Sequence, residues 1–175
     1  RGEGVFSLAM RQHPQMSVLI PMASWEGAGL FGESVDAFFE EWTSTGATTT
    51  TTADDVRSGS RALRLNGHAT LDRSVRYRFP TGSLANWNGR SITFGVWAKR
   101  RDGATGAGTP RLEILENNEA TTLATTTITL ADTYAFSSVT WTFTSAPTTN
   151  VALRIRLPSG DANDSYVIDD MWCTP

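Results

Sequence analysis

The stretch Ile92–Lys99, ITFGVWAK, alternates between apolar residues that share one face and residues that point away from it. Ile92, Phe94 and Val96 form the apolar face, and Trp97 lies on the other. A period of two residues predicts a β-strand with one buried side. The same period recurs in Val75-Tyr77-Phe79, in Val139-Trp141-Phe143 and in Val151-Leu153-Ile155-Leu157.

Turn signals separate these strands. They include Pro80-Thr81-Gly82, Asn88-Gly89, the glycine-rich run 102–108, Ala146-Pro147 and Pro158-Ser-Gly160. Threonine, which suits a pleated surface, is abundant, and no helical period longer than a turn or two follows residue 45. About nine or ten strands at this spacing predict an all-β chain, an antiparallel jelly-roll β-sandwich.

Residues 1–35 differ from the remainder because they show no sustained period of either kind. We interpret them as an extended N-terminal arm or lead-in and assign residues 36–175 to the sandwich. A disordered linker is the alternative interpretation. As an arm, the segment is expected to bury its apolar residues against other protein chains of an assembly: Phe6, Val18, Leu19 and Ile20.

Composition excludes several classes of partner. The 18 acidic and 15 basic residues give a formal net charge of −3, which offers no general attraction to nucleic acid or to an anionic membrane. No run of about 18 apolar residues could span a membrane. The one cysteine, Cys173, permits no internal disulfide and is expected to be a small packing residue.

Catalytic motifs are absent from the sequence. His13 and His68 are the only histidines, and His68 is expected in a solvated turn. There is no nucleophile elbow, phosphate-binding loop or zinc-protease motif. Glu113 alternates with Leu112 and Ile114, so it is expected to face outward as a solubilising residue rather than to form a glycosidase pair with Glu116 or Glu119. We therefore expect a non-enzymatic protein.

Five motifs in order connect the chain to a known family. They are Phe38-Phe39-Glu40-Glu41-Trp42, the run 56–65 (VRSGSRALRL), the run 92–99, Val139–Thr144 (VTWTFT) and Tyr166–Met171 (YVIDDM). Over about residues 37–173 this pattern resembles the jelly-roll carbohydrate-binding modules attached to xylanases and related hydrolases. The same sandwich occurs, by resemblance, in bacteriophage decoration, head-fibre and tail-fibre proteins.

The resemblance implies a structural calcium ion between the first and last strands. Glu40 and, of the final pair, Asp169 would be ligands, with a carbonyl near Ser58 to Ser60 completing the shell. Calcium takes six to eight oxygens and would neutralise carboxylates in a sandwich. Pairing of these acids with Arg61 or Arg64, or exposure at a sheet edge, is the alternative.

The two final aspartates should have separate environments, because adjacent strand residues point to opposite faces. We expect Asp169 to face Glu40 across a calcium ion or an arginine, and Asp170 to face solvent.

The resemblance also implies a sugar platform of exposed aromatic rings. Trp87, in the polar stretch Ala85–Gly89 (ANWNG), and Trp97 are the candidates for glycan binding. Trp141 and Trp172 are interpreted as core residues. The alternative is that all six tryptophans serve packing.

Taken together, these features favour a non-enzymatic structural or adhesion module, a phage virion decoration (cement) or fibre protein with a carbohydrate-binding-module-like fold. It would reside on the virion or outside the cell and contact surface glycans. The alternative function is a glycan-binding module of a secreted polysaccharide hydrolase.

Overall fold

A computed structural model describes residues 42–45, 47–50, 56–58, 62–79, 82–101, 103–106, 108–160 and 162–174. These residues form ten strands and no helix. The strands are β1 (Trp42–Thr45), β2 (Ala47–Thr50), β3 (Ala62–Asn66), β4 (Arg73–Arg78), β5 (Ser91–Arg100), β6 (Arg111–Glu116), β7 (Thr121–Thr127), β8 (Ala135–Thr142), β9 (Ala152–Leu157) and β10 (Ser165–Thr174).

The strands form two five-stranded sheets. Sheet A has the order β1-β4-β9-β6-β7, and sheet B has the order β2-β3-β10-β5-β8. All of the neighbouring strands pair antiparallel. The predicted all-β antiparallel sandwich is therefore confirmed. Residues 1–35, including the predicted contact residues Phe6, Val18, Leu19 and Ile20, lie outside the described residues.

The alternation of apolar residues produces the core between the sheets. Ile92, Phe94 and Val96 of β5 are fully buried, as are Leu153 and Ile155 of β9. Each large side chain buried in this way contributes about 1.5–3 kcal/mol relative to an exposed one. Because the inward positions of both sheets are used for the core, the alternate positions of β5, β8 and β9 form the outer faces.

Cys173 belongs to this core. It is completely buried, and burial raises the pKa of its thiol to about 12. A thiol with such a pKa is neutral at physiological pH, which confirms the expectation of a packing residue.

Within the described segments, no helix has the length and apolarity needed to cross a membrane.

Candidate functional site: an aromatic row on the outer face of sheet B

The outer face of sheet B carries aromatic side chains on β5 and β8. Phe94 and Val96 point into the core, so Gly95 and Trp97 face outward. Phe136 of β8 is the register partner of Trp97, and it is 38% exposed. The two rings are in contact, with centroids 5.4 Å apart and an interplanar angle of 52°. Trp97 is partly exposed and lies on the outer face, as the alternation in the sequence predicted.

Trp172 joins the same face because β10 contains a bulge. The register with β5 runs from Tyr166 to Asp169 and resumes at Trp172, which lies opposite Gly95. Asp170, inside the bulge, has a φ of 43°, in the left-handed region that Asp tolerates better than most residues. The extra residue turns the indole of Trp172 outward. The interpretation of Trp172 as a core residue is therefore wrong.

Gly95 lies beneath the aromatic side chains and, because it has no side chain, leaves the space that they occupy. A Cβ atom at this position would lie 2.7 Å from Cζ of Phe136 and 2.8 Å from Cε2 of Trp172. Phe136 and Trp172 consequently approach each other across β5, with parallel rings (3°) and centroids 5.6 Å apart. We call Trp97, Phe136 and Trp172 the aromatic row.

Hydroxyl groups border the aromatic row along β5 and β8. Thr93 bonds Thr140 at 2.9 Å, and Ser91 bonds Thr142 at 2.7 Å, in both cases side chain to side chain. These pairs are exposed on the same outer face, two and four residues from Gly95. The face therefore combines apolar rings with donors and acceptors, the combination that sugar binding requires.

Arg57 closes one end of the aromatic row. Its guanidinium carbon lies 4.0 Å from the ring centroid of Trp97, a cation–π distance. The same guanidinium donates to Oδ2 of Asp170, and the hydroxyl of Ser58 donates to Oδ1. A charged pair that is partly exposed thus lies beside the rings, where it offers both a donor and an acceptor.

Asp169 is fully buried next to this pair. The backbone N–H groups of Arg57 and Ser58 donate to its Oδ2 at 3.0 and 3.1 Å, and that of Asp170 donates to its Oδ1 at 2.9 Å. Desolvation by burial raises the pKa of Asp169, although these three hydrogen bonds act in the opposite direction. The carboxylates of Asp169 and Asp170 therefore both contact residues 57–58.

This arrangement corrects the prediction of separate environments for the two aspartates. The rule that adjacent residues face opposite sides applies to a regular strand, and the bulge breaks it. Asp170 does not simply face solvent, since it bonds Arg57 and Ser58.

The described residues include only part of the predicted calcium site. Glu40 lies outside the described residues, as do residues 59 and 60. The backbone N–H groups of Arg57 and Ser58 donate to Oδ2 of Asp169, and their partial positive charge would repel a cation at that oxygen. Calcium binding by Glu40 and Asp169 stays a prediction. Within the described segments, no cluster of three or more His, Cys, Asp or Glu side chains could hold a metal ion.

Trp87 requires a correction, because the structure buries it. The side chain is 8% exposed and belongs to the core, where its ring meets that of Phe143 edge to face at 6.1 Å. A glycan could not stack on a ring in this position. Trp141, by contrast, packs against the core as the sequence indicated.

Two of the three acidic residues considered for catalysis, Glu113 and Glu119, form ion pairs with arginines of sheet A. Glu113 does point away from Leu112, but it is 3% exposed and accepts a hydrogen bond from Nε of Arg154, so it is no solubilising residue. Glu119 pairs with Arg76 and Arg78. His68 lies in a turn, where its Nδ1 accepts the backbone N–H groups of Thr70 and Leu71.

Sequence reasoning missed four residues of this site: Gly95, Phe136, Arg57 and Trp172. One signal was available. In β8 the apolar residues Val139 and Trp141 occupy odd positions, so an aromatic residue at position 136 belongs to the polar face. The role of Arg57 and the reorientation of Trp172 depend on the bulge, for which the sequence carries no clear signal.

Comparison with known proteins identifies similar structures. No protein-family model matches the sequence, and no curated protein matches it. A cyclase from Fischerella sp. TAU superposes with a TM-score of 0.70 at 13% identity, covering 90% of this chain and 96% of the other. The enzymatically active domain of tailspike protein 4 of bacteriophage CBA120 gives 0.58 at 16% identity, covering 90% of this chain and 21% of that domain.

A tandem of family 22 carbohydrate-binding modules from Xyn10C of Paenibacillus barcinonensis gives a TM-score of 0.56 at 14% identity, covering 91% of this chain and 46% of the tandem. Modules of families 61 and 16 match at 0.53 and 0.55. At these identities the likeness shows the fold alone. The chain has the jelly-roll fold of carbohydrate-binding modules, as the sequence motifs predicted.

Proposed function

We propose that this chain is a non-enzymatic adhesion module that binds glycans on the aromatic row. The observation that carries the proposal is the lateral alignment of Trp97, Phe136 and Trp172 on an outer sheet face, with Phe136 38% exposed. Phe136 and Leu71 are the large apolar side chains that the described residues expose, and Leu71 lies in a separate turn. An exposed aromatic cluster indicates a binding surface.

The chemistry of the face favours a sugar over a protein or a lipid. Aromatic rings stack on the apolar faces of sugar rings, while hydroxyl groups need polar partners beside them. Thr93 and Thr140 supply hydroxyls on one side. On the other side, Arg57 supplies donors and Asp170 supplies an acceptor. We therefore assign the ring contact to Phe136 and Trp172, and the polar contacts to these flanking groups.

We infer that the module serves as a fibre or decoration protein of a phage virion. Similarity to a phage tailspike domain supports this setting. Residues 1–35 would attach the module to other protein chains of the assembly, and the aromatic row would face the surrounding glycans. A glycan-binding module of a secreted polysaccharide hydrolase is the second candidate, supported by the similarity to the Xyn10C modules. Both settings place the chain on a virion or outside the cell.

The experiment is a retention assay of the full chain on a panel of insoluble polysaccharides and immobilised oligosaccharides. We expect retention on at least one glycan, and its loss in Phe136→Ala and Trp172→Ala. The matched control is Leu71→Ala, which removes an exposed apolar side chain (53%) away from the row. Lack of retention across the panel, or equal retention by all three variants, would contradict the proposal.

A separate measurement tests the assembly role. Deleting residues 1–35 should abolish association with neighbouring chains and leave the thermal melting of the sandwich unchanged. Association that persists after the deletion would contradict the proposed role of residues 1–35. Glycan retention is a separate measurement that tests only the aromatic row.

A further inference from the structure

The outer face of sheet A carries a regular array of arginines. Val75, Leu153 and Leu112 alternate inward, so the residues between them on β4, β9 and β6 face outward. The cross-strand register places these outward arginines side by side. The neighbours are Arg76 with Arg154, and Arg156 with Arg111, while Arg78 lies two residues beyond Arg76.

Two largely covered acidic residues form ion pairs with these arginines. Glu113 bonds Nε of Arg154 and lies 3.6 Å from Arg156, and its side chain is only 4% exposed. Glu119, 10% exposed, pairs with both Arg76 and Arg78. The arginines themselves are 19–46% exposed. Glu113 and Glu119 are thus more covered than the arginines with which they pair.

Asp72 adds a third acid at the edge of the array, where its side chain is 43% exposed. It accepts hydrogen bonds from both Nε and a terminal nitrogen of Arg156. A guanidinium has five N–H groups, and these bonds use only some of them. The acids therefore fix the orientation of these arginines, and some of the guanidinium N–H groups are not used by the ion pairs.

The net charge of this face is opposite in sign to the net charge of the whole chain. Among the described residues, this face carries five arginines, of which four pair with three acidic residues, and the sum is a formal charge of +2. The complete sequence carries −3. A net-acidic chain that gathers arginines on one sheet face has a local surface for anions.

We propose that the outer face of sheet A binds an acidic polysaccharide, whose repeated carboxylate or sulfate groups pair with the arginines. Pre-oriented guanidinium groups recognise such anions through two parallel hydrogen bonds. Strands about 4.8 Å apart present the arginines as a flat lattice rather than a pocket. A lattice suits a chain with many charges better than a single small anion. The proposal goes beyond the aromatic row, which lies on the other sheet.

The test is calorimetric titration of the full chain at low ionic strength. Three polymers are compared: polygalacturonate for carboxylates, dextran sulfate for sulfates, and unmodified dextran as the neutral reference. We expect binding to at least one of the charged polymers and not to dextran, with binding weakened as salt is raised because exposed charges are screened. In Arg78→Gln/Arg111→Gln, affinity for that polymer should fall about tenfold.

Control variants separate this face from general charge and from the aromatic row. Arg90→Gln removes an exposed arginine that precedes β5 of sheet B, and Phe136→Ala removes a ring of the row. Arg90→Gln should bind the charged polymer like the wild type, whereas a loss in Phe136→Ala equal to that in the double variant would assign the polymer to the aromatic row and overturn the proposal. Equal losses in Arg90→Gln, unchanged binding by the double variant, equal binding to dextran, or no binding to either charged polymer would each overturn the proposal.

Sedimentation of the free chain completes the test. A monomer that the charged polymer saturates is expected. A dimer that the double variant dissociates and that the polymer does not compete with would assign the face to a second copy of the chain, and would also overturn the proposal.

Discussion

The indole of Trp172 lies parallel to the ring of Phe136, with an interplanar angle of 3° and a centroid separation of 5.6 Å, although the two residues are on strands that do not pair. Strand β5 runs between them, and Gly95 is the residue that they cover. The contact exists because Gly95 has no side chain and because the bulge at Asp170 turns Trp172 outward.

Gly95→Ala should displace the aromatic row. The added methyl group would lie within 3 Å of both rings, and relief of that overlap costs about 1–3 kcal/mol. We expect a lower melting temperature, an altered near-ultraviolet circular dichroism spectrum and weaker glycan retention. The control is Ser138→Ala, at the register partner of Gly95 on β8, which should change none of these. A variant with wild-type spectrum and retention would contradict the role given to Gly95.

Arg57→Lys should weaken the contacts of residue 57 with Trp97 and Asp170 at the end of the aromatic row, although it retains the positive charge. An ammonium group cannot lie flat on Trp97 and bond Asp170 in the same geometry. We expect a loss of about 0.5–1 kcal/mol in the free energy of unfolding and a change in tryptophan fluorescence. Chemical denaturation monitored by fluorescence measures both quantities. If Arg57→Lys matched the wild type while Arg57→Ala did not, charge alone would explain the contact.

Asp169→Asn and Asp169→Ala should behave differently. Asparagine keeps an oxygen that can accept the N–H groups of Arg57 and Ser58 and avoids burying a charge, but its NH2 group replaces the oxygen that accepts the N–H of Asp170. Alanine leaves those donors unsatisfied, which costs about 1–3 kcal/mol. We therefore expect a small decrease in melting temperature for Asp169→Asn, which loses one acceptor, and a larger decrease for Asp169→Ala, which loses both.

A chelator provides the complementary measurement for Asp169. If the chelator lowered the melting temperature of the wild type and had no effect on Asp169→Asn, Asp169 would be holding a cation, and the amide bonds alone would not explain its burial.

The Asp72–Arg156 pair should make stability depend on pH in the acidic range. The backbone N–H of Ser159, together with Arg156, lowers the pKa of Asp72 below its ordinary value of 3.8. A carboxyl group whose pKa is lower in the folded state stabilises the fold above the unfolded pKa, and that stability is lost as the pH falls through the folded pKa. Asp72→Asn should thus melt below the wild type at pH 7, and the difference should diminish as the pH falls below 3.8.

Thermal melts of both proteins between pH 2 and 7 measure this effect. Asp132→Asn is the control, since the side chain of Asp132 is 89% exposed and lies 3.9 Å from Arg100. It should melt like the wild type at every pH. A constant difference between Asp72→Asn and the wild type down to pH 2 would show that the ionisation of Asp72 is not the cause.

The architecture was largely predictable because it depends on a period that a sequence displays directly. Alternation in Ile92–Lys99 defined the inner and outer faces of β5, and turn residues marked the strand ends. Trp97 could be placed on the outer face by the same rule. These are local properties, and the structure reproduces them.

The site was only partly predictable because it depends on irregularity and on distant contacts. One extra residue near Asp170 reversed the direction of Trp172. Trp87 lies in a polar stretch, yet Phe143, far along the chain, covers its ring. Glu113 has the alternation of a surface residue but is buried under arginines of β9, which a single strand cannot reveal.

The position of Cys173 makes it an internal reporter of unfolding. It is the one thiol of the sequence, it is fully covered by the sandwich, and its high pKa keeps it unreactive while the fold is closed. Only molecules that open around β10 can react with a thiol reagent. The labelling rate therefore measures how often the sandwich opens, and it can do so in every variant above without the introduction of a probe.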